Sequence, residues 1–303
     1  MPYLFKEHFK KFITSKGNLR TKEIYLYTIN KIKKYDDIES LTFEDINLQW
    51  LKVLQQKMSD EGLSINAQSI HFRNIRAVFN DAIDNELISQ NTYPFRRFKI
   101  KTEKTIKRSL SIEELVTLRD YKCEKYLEKY RDIFMLTFYL IGINTIDLLH
   151  LKEVQNEKIE YRRAKTKRLY SIQVLPEAKI IIDKYKGKDY LLDVLDIYGN
   201  YKDFSRRLNR NLKRIGVIEI GKKGKKSIKP IFPQLTTYWA RHTWATIAAS
   251  LEIPKETIAA ALGHGGNTVT DIYINFDQKK IDEANRKIIE YINKYEMPAQ
   301  SHD

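Results

Sequence analysis

Three side chains stand in an order and at spacings that suit phosphoryl transfer without a metal. They lie in the run TYWARHTWATIAASLEIPKETIAAALGHGGNTVTDIY, residues 237–273. Arg241 opens an apolar helical segment, His264 sits in a Leu-Gly-His turn after a second one, and Tyr273 follows nine residues later. A guanidinium is permanently charged, and its planar fork of donors matches two phosphate oxygens both before attack and as charge builds on them. His264 offers a third donor. A free phenol has a pKa of about 10, so Tyr273 attacks phosphorus well only where positive charge favours its phenolate or a base takes its proton. No His, Cys or carboxylate falls at a ligand spacing such as HExxH or paired CxxC, which argues against a metal at His242 and His264.

The strings Ala-Arg-His-Thr at 240–243, Leu-Gly-His at 262–264 and Ile-Tyr at 272–273, in this order, resemble the tyrosine recombinase (phage integrase) family. The resemblance implies a DNA phosphodiester as substrate, with Tyr273 as nucleophile, Arg241 and His264 on the phosphate, and a 3′-phosphotyrosyl intermediate later attacked by a 5′-hydroxyl. It implies no cofactor, no ATP and no metal. The family also places a Lys on a β-hairpin, where it protonates the 5′-oxygen leaving group. Here the string Arg163-Ala-Lys165-Thr-Lys167-Arg-Leu-Tyr points to Lys165 for that role, with Lys167 as the alternate.

Two positions depart from the family pattern. Where the family has a first Arg after a Gly, this chain reads Ile141-Gly-Ile-Asn144, and where most members have a His three residues before the second Arg it has Tyr238. Asn144 can donate a neutral hydrogen bond but brings no charge, and losing one preorganised donor typically costs roughly 100- to 1,000-fold in rate. Tyr238 can donate to a phosphate but accepts a proton poorly near neutral pH. Replacement charge would have to come from Arg162, Arg163 or Arg168 on the hairpin, or from an Arg in 206–214. The pattern therefore supports two readings: a site-specific recombinase or integrase that integrates, excises or inverts DNA, and a catalytically impaired DNA-binding regulator of the same fold. A type IB topoisomerase would share the chemistry without a defined site or a partner duplex.

Charge agrees with a nucleic-acid partner. The formal net charge is +15, the kind of excess that neutralises phosphates. It is unevenly spread: residues 1–90 hold 13 Lys and Arg against 12 Asp and Glu, whereas 91–108 hold 7 against 1. Arg96, Arg97, Lys99, Lys101 and Lys104 in that basic stretch are candidate DNA contacts. So are Arg206, Arg207 and Arg210 in the region 200–230, which holds 11 basic residues against 2 acidic. There is no acidic cluster of the kind that holds catalytic metals in nucleases, and Gly221-Lys-Lys-Gly-Lys-Lys-Ser227 lacks the spacing of a phosphate-binding loop. A single Cys123 excludes an internal disulfide and fits a reducing cytoplasm. No stretch reaches the 18 or more apolar residues of a membrane span, and the N-terminus has no apolar core of signal-peptide length.

The elements that must position these residues follow from periodicity. Apolar spacing predicts helices over Leu4 to Ser15, Thr21 to Tyr35, Thr42 to Asp60 and Ser64 to Asn85. Residues 91–108, with Pro94, read as an extended basic linker. Ser111 to Glu114 forms a capping box opening the second part, where helices run over Tyr130 to Leu140 and Asp147 to Leu151. Lys158 to Val174 alternates as a strand pair, and helical patterning resumes near Glu177. The predicted organisation is a helical core DNA-binding domain over 1–90, the linker over 91–108, and a catalytic domain over 109–303 with a helical tail from about 278. The fold class is mainly α with a small β-sheet. The resemblance implies that the two domains form a clamp on double-stranded DNA, that the protein is a monomer in solution and a homotetramer on paired recombination sites, and that the tail is donated to a neighbouring protomer. Lack of an evident arm-binding domain at the N-terminus favours a simple cytoplasmic, nucleoid-associated recombinase, such as an invertase, a resolvase-like chromosome or plasmid factor, or the recombinase of a mobile element, over a large arm-binding phage integrase.

Overall fold

A computed structural model describes residues 3–105, 108–220, 226–263 and 278–296. The chain divides into two compact units, Met1–Ile106 and Lys107–Asp303.

The first unit is built from α1 (Phe5–Thr14), α2 (Leu19–Tyr35), α3 (Leu48–Asp60) and α4 (Ile65–Asp84). Three of these starts are set by side-chain caps: Asn18, Asn47 and Ser64 each accept from backbone N–H groups of the first turn. The cap at Asn47 explains why α3 begins six residues later than periodicity alone predicts. Upstream, Asp45 accepts from both the N–H and the hydroxyl of Thr42 (2.9 and 2.6 Å), which closes a turn instead of a helix. The core is aromatic, with Phe43 edge-on to Phe5 and Phe79 at 5.2 and 4.9 Å. One polar group of buried residues crosses it: Asn74 donates to Thr28 Oγ1 (2.7 Å), which also meets His71 Nδ1 at 3.0 Å. Burial, and then the charge of Lys31, push the His71 pKa down to about 4, so this imidazole is neutral at pH 7.

The stretch expected as an extended linker is not extended at its start. Residues Gln90–Thr92 and Pro94–Arg96 form short 3-10 turns. Phe95 and Phe98 are buried in the first unit's core, Phe98 lying 4.7 Å from Phe72. Asn66 then exchanges two hydrogen bonds with the backbone of Glu103. The two phenylalanines interleave with the basic residues, so burying them leaves Arg96, Arg97 and Lys99 on the surface.

The second unit contains α5 (Ile112–Asp120), α6 (Lys125–Tyr139), α7 (Thr145–Leu149), β1 (Lys158–Arg162), β2 (Leu169–Gln173), α8 (Pro176–Lys184), α9 (Val194–Tyr198), α10 (Tyr201–Leu212), β3 (Gly216–Ile220), β4 (Lys226–Pro230), α11 (Tyr238–Ser250), α12 (Lys255–Leu262) and α13 (Gln278–Asn293). The capping box at Ser111 and Glu114 is present in both directions. The strands form two separate antiparallel hairpins, β1 with β2 and β3 with β4, each of five residue pairs. The second hairpin was not expected, because Lys-rich patterning masks its alternation. Buried helix α6 and the fully buried Trp244 of α11 form the centre of the core.

The tail helix α13 packs on its own unit. Ile281, Ile288, Ile289 and Ile292 are buried there, and each such side chain is worth about 1.5–3 kcal/mol. Asn285 locks the helix in place: it accepts from the Trp244 indole N–H (2.8 Å) and donates to the Tyr139 carbonyl (3.0 Å). Among the described residues no helix is long and apolar enough to cross a membrane.

Candidate active site

Arg241 lies in the first turn of α11 and projects into a cleft of about 60 Å³ lined by Gly142, Ile143, Asn144, Thr145, Thr237, Tyr238 and itself. The fold thus brings together Arg241, Asn144 and Tyr238, three positions singled out in the sequence. Close approach of two backbones makes the cleft. Gly142 has φ +66°, and a Cβ there would overlap the Arg241 Cα, so only glycine fits between α6 and α11. The Arg241 guanidinium donates to the carbonyls of Gly142 (3.2 Å) and Leu262. These contacts hold its stem in place, and no carboxylate pairs with it among the described residues.

Asn144 stands at the N-cap of α7 without capping it; its amide instead donates to Asp147 Oδ2 at 3.2 Å. Buried Asp147 uses its other oxygen to accept from the Ala164 N–H at 2.8 Å. One carboxylate therefore ties the Asn144 amide to the end of the β1–β2 hairpin. Thr237 is fixed by Asn209 of α10, which accepts from its N–H at 2.9 Å. Tyr238 is half-exposed, and its ring meets His242 edge-on at 4.6 Å. Burial first, then the charges of Arg108 and Arg241, lower the His242 pKa, which favours a neutral imidazole beside the phenol. Sequence reasoning considered His242 only as a metal ligand; its i, i+4 spacing from Tyr238 was the available signal.

The hairpin adds a second cation. Tyr170 of β2 stacks on Tyr161 of β1 at 5.2 Å, and its hydroxyl donates to the Leu262 carbonyl (3.3 Å), the same oxygen that Arg241 engages. Arg163 Nη1 reaches that hydroxyl in a long 3.5 Å contact. Gly263, with φ +64°, ends α12 in the left-handed conformation, and a Cβ there would overlap the Tyr170 hydroxyl. The Arg241 pKa is lowered by burial and next by the charge of Arg163, so the two guanidiniums repel across the site.

Lys165 is exposed in the turn between β1 and β2 and does not line the Arg241 cleft. His264 and Tyr273 lie outside the described residues. Of the candidate DNA contacts, Arg96, Arg97, Lys99, Lys101 and Lys104 are exposed in the first unit. Arg206, Arg207 and Arg210 are exposed on α10, where Arg206 pairs with Asp203 and Arg207 lies over the Tyr198 ring at 5.7 Å. No group of three or more His, Cys, Asp or Glu placed to hold a metal occurs among the described residues.

Residues 4–102 match the model of the Phage integrase SAM-like domain. No curated protein matches the chain. Among solved structures, a lambda integrase dimer bound to a COC' core site is similar at 17% identity and TM-score 0.65, covering 88% of this chain and 95% of that one. A lambda integrase tetramer bound to a Holliday junction is similar at 16% identity and TM-score 0.63, over 88% and 77%. The Tn1549 transposon integrase in complex with circular intermediate DNA is similar at 18% identity and TM-score 0.60, over 93% and 99%. The chain thus shares the two-domain fold of these integrases, and its residues 4–102 match the Phage integrase SAM-like domain.

Proposed function

We propose that the protein is a site-specific DNA recombinase that cleaves and rejoins strands through a 3′-phosphotyrosyl intermediate. The observation that carries this reading is Arg241, held by two backbone carbonyls in a cleft and unpaired with any carboxylate among the described residues. A guanidinium kept in place without a counter-charge is preorganised for an anion. In this reading Arg241 binds the non-bridging oxygens of the scissile phosphate, with Tyr238 and His264 as further donors. Tyr273 loses its proton to solvent as its oxygen attacks phosphorus, the bond to the 5′-oxygen breaks, and Lys165 gives that oxygen a proton. Rejoining reverses these steps with a new 5′-hydroxyl. Arg96, Arg97, Lys99, Lys101 and Lys104, with Arg206, Arg207 and Arg210, contact the backbone of double-stranded DNA, and four protomers act on two sites, as in the lambda integrase tetramer on a Holliday junction. The helical first domain, its basic connection and the second domain divide this work between binding and chemistry.

The test is incubation with labelled duplexes from the gene's own flanks, nicked so that the 5′-fragment leaves and the intermediate is trapped. A denaturing gel should show a covalent protein–DNA band that Tyr273→Phe and Arg241→Ala both abolish. Site-specific, salt-sensitive binding without such a band would assign the chain to the regulator reading, which the uncharged Asn144 favours.

A further inference from the structure

We infer that Arg163, on the β1–β2 hairpin, supplies the second phosphate-binding guanidinium of this site, in place of the charge that Asn144 lacks. The inference rests on the recombinase reading for its substrate, a DNA phosphodiester, and on three local observations for its geometry.

First, Arg163 and Arg241 are joined through two groups only. Arg163 Nη1 contacts the Tyr170 hydroxyl at 3.5 Å, that hydroxyl donates to the Leu262 carbonyl at 3.3 Å, and Arg241 donates to the same carbonyl. Second, the hairpin is pinned at the adjacent residue to the helix that carries Asn144. Ala164 donates to Asp147 at 2.8 Å, and Asn144 donates to the other oxygen of the same carboxylate. The backbone of Arg163 is also closed on both sides, its N–H bonding the Arg168 carbonyl and its carbonyl accepting from Lys167, each within 2.9 Å. Third, Arg163 Nε is buried and has no hydrogen-bond partner among the described residues. An unmet donor on a charged group costs more than one on a neutral group, and two neighbouring guanidiniums repel. An anion between them answers both costs. Two forks on one phosphate can engage more of its oxygens than either alone.

The other hairpin arginines are placed differently. Arg162 is exposed and turns to the Lys167 carbonyl at 3.4 Å, and Arg168 is exposed and offers Arg163 only its carbonyl. On α10, Arg206 is engaged by Asp203 and Arg207 by Tyr198.

Arg163→Ala and Arg163→Met, the latter keeping the packing stem, test this on the full chain. With nicked flank DNA that yields an adduct with the unaltered protein, both variants should slow adduct formation by roughly 100- to 1,000-fold while duplex binding on a native gel stays within a few fold. Adding Asn144→Arg to Arg163→Ala should recover at least tenfold of the loss, a rescue that general unfolding would not allow. Arg162→Ala should cleave as the unaltered protein does. Cleavage by Arg163→Ala and Arg163→Met within threefold of the unaltered rate, or no rescue by Asn144→Arg, would overturn the inference. If the unaltered protein yields no adduct, the recombinase reading fails, and calorimetric titration with inorganic phosphate at fixed salt decides the site on its own. Weaker phosphate binding in Arg163→Ala, but not in Arg162→Ala, supports the paired arginines; equal binding in all three overturns them.

Discussion

The second unit carries two antiparallel hairpins of equal strand length, and they differ in what holds them. In β1–β2, Ile159 and Ile172 are buried in the core, Tyr161 stacks on Tyr170, and three separate elements grip the hairpin. Asp147 of α7 binds its end at Ala164, the Leu262 carbonyl of α12 accepts from Tyr170, and Gln278 of α13 donates to the Ser171 carbonyl at 2.9 Å. In β3–β4 the inward residues are few. Val217, Ile218 and Ile220 are exposed, and the hairpin is rooted at its base, where Ile231 donates to the carbonyl of buried Ile215 at 2.9 Å. The same secondary structure is thus a rigid mount in one place and a surface projection in the other. A side chain that must meet a phosphate within tenths of an ångström needs the first kind of support, and Arg163 has it.

Four changes would break or sharpen this contrast. The largest effect is expected from Gly263→Ala, which combines a left-handed backbone with overlap on the Tyr170 hydroxyl. It should cost about 2 kcal/mol or more in urea unfolding and abolish adduct formation on nicked DNA. Next, Asp147→Ala removes the acceptor shared by Ala164 and Asn144. A loss on the order of 1–3 kcal/mol in the same unfolding assay, with cleavage reduced far more than duplex binding, would locate its role in positioning the hairpin. Tyr170→Phe deletes one hydroxyl and keeps the ring stack. Its stability loss should stay near 1 kcal/mol, with cleavage slowed about tenfold; unchanged cleavage would show that the Leu262 link is dispensable. Smallest of all, Ile220→Ser on the exposed hairpin should change stability by no more than about 0.5 kcal/mol. A larger loss there, read by the unfolding midpoint, would mean that β3–β4 is not the loosely held partner in this comparison.

Much of the frame was legible in advance. The helices of the first unit follow from apolar spacing, and α5 from its capping box, because such signals act between residues a few positions apart. The strand pair at 158–174 announced itself by alternation. The unread parts had mixed signals. The β3–β4 hairpin is interrupted by lysines, the start of α3 is set by competition between a Thr42–Asp45 turn and helix, and Phe95 and Phe98 were hidden inside a basic run.

What the sequence alone determined is therefore local: which segments coil or extend, where the positive charge collects, and that Arg241 stands in a string resembling a recombinase motif. Which residues meet was decided by the tertiary structure. Asn144, Arg163 and Arg241 are separated by 19 and 78 positions, and their convergence depends on Gly142 letting two backbones close up, on one buried carboxylate with two donors, and on a single carbonyl at the end of α12. The seating of α13 is of the same kind. Its amphipathic stripe calls only for a buried face, and the hydrogen bonds of Asn285 to Trp244 and Tyr139 fix how that face sits on its own unit. A periodic stripe specifies that a face is buried, whereas the partner is chosen by the shape and unmet polar groups of the surface that receives it.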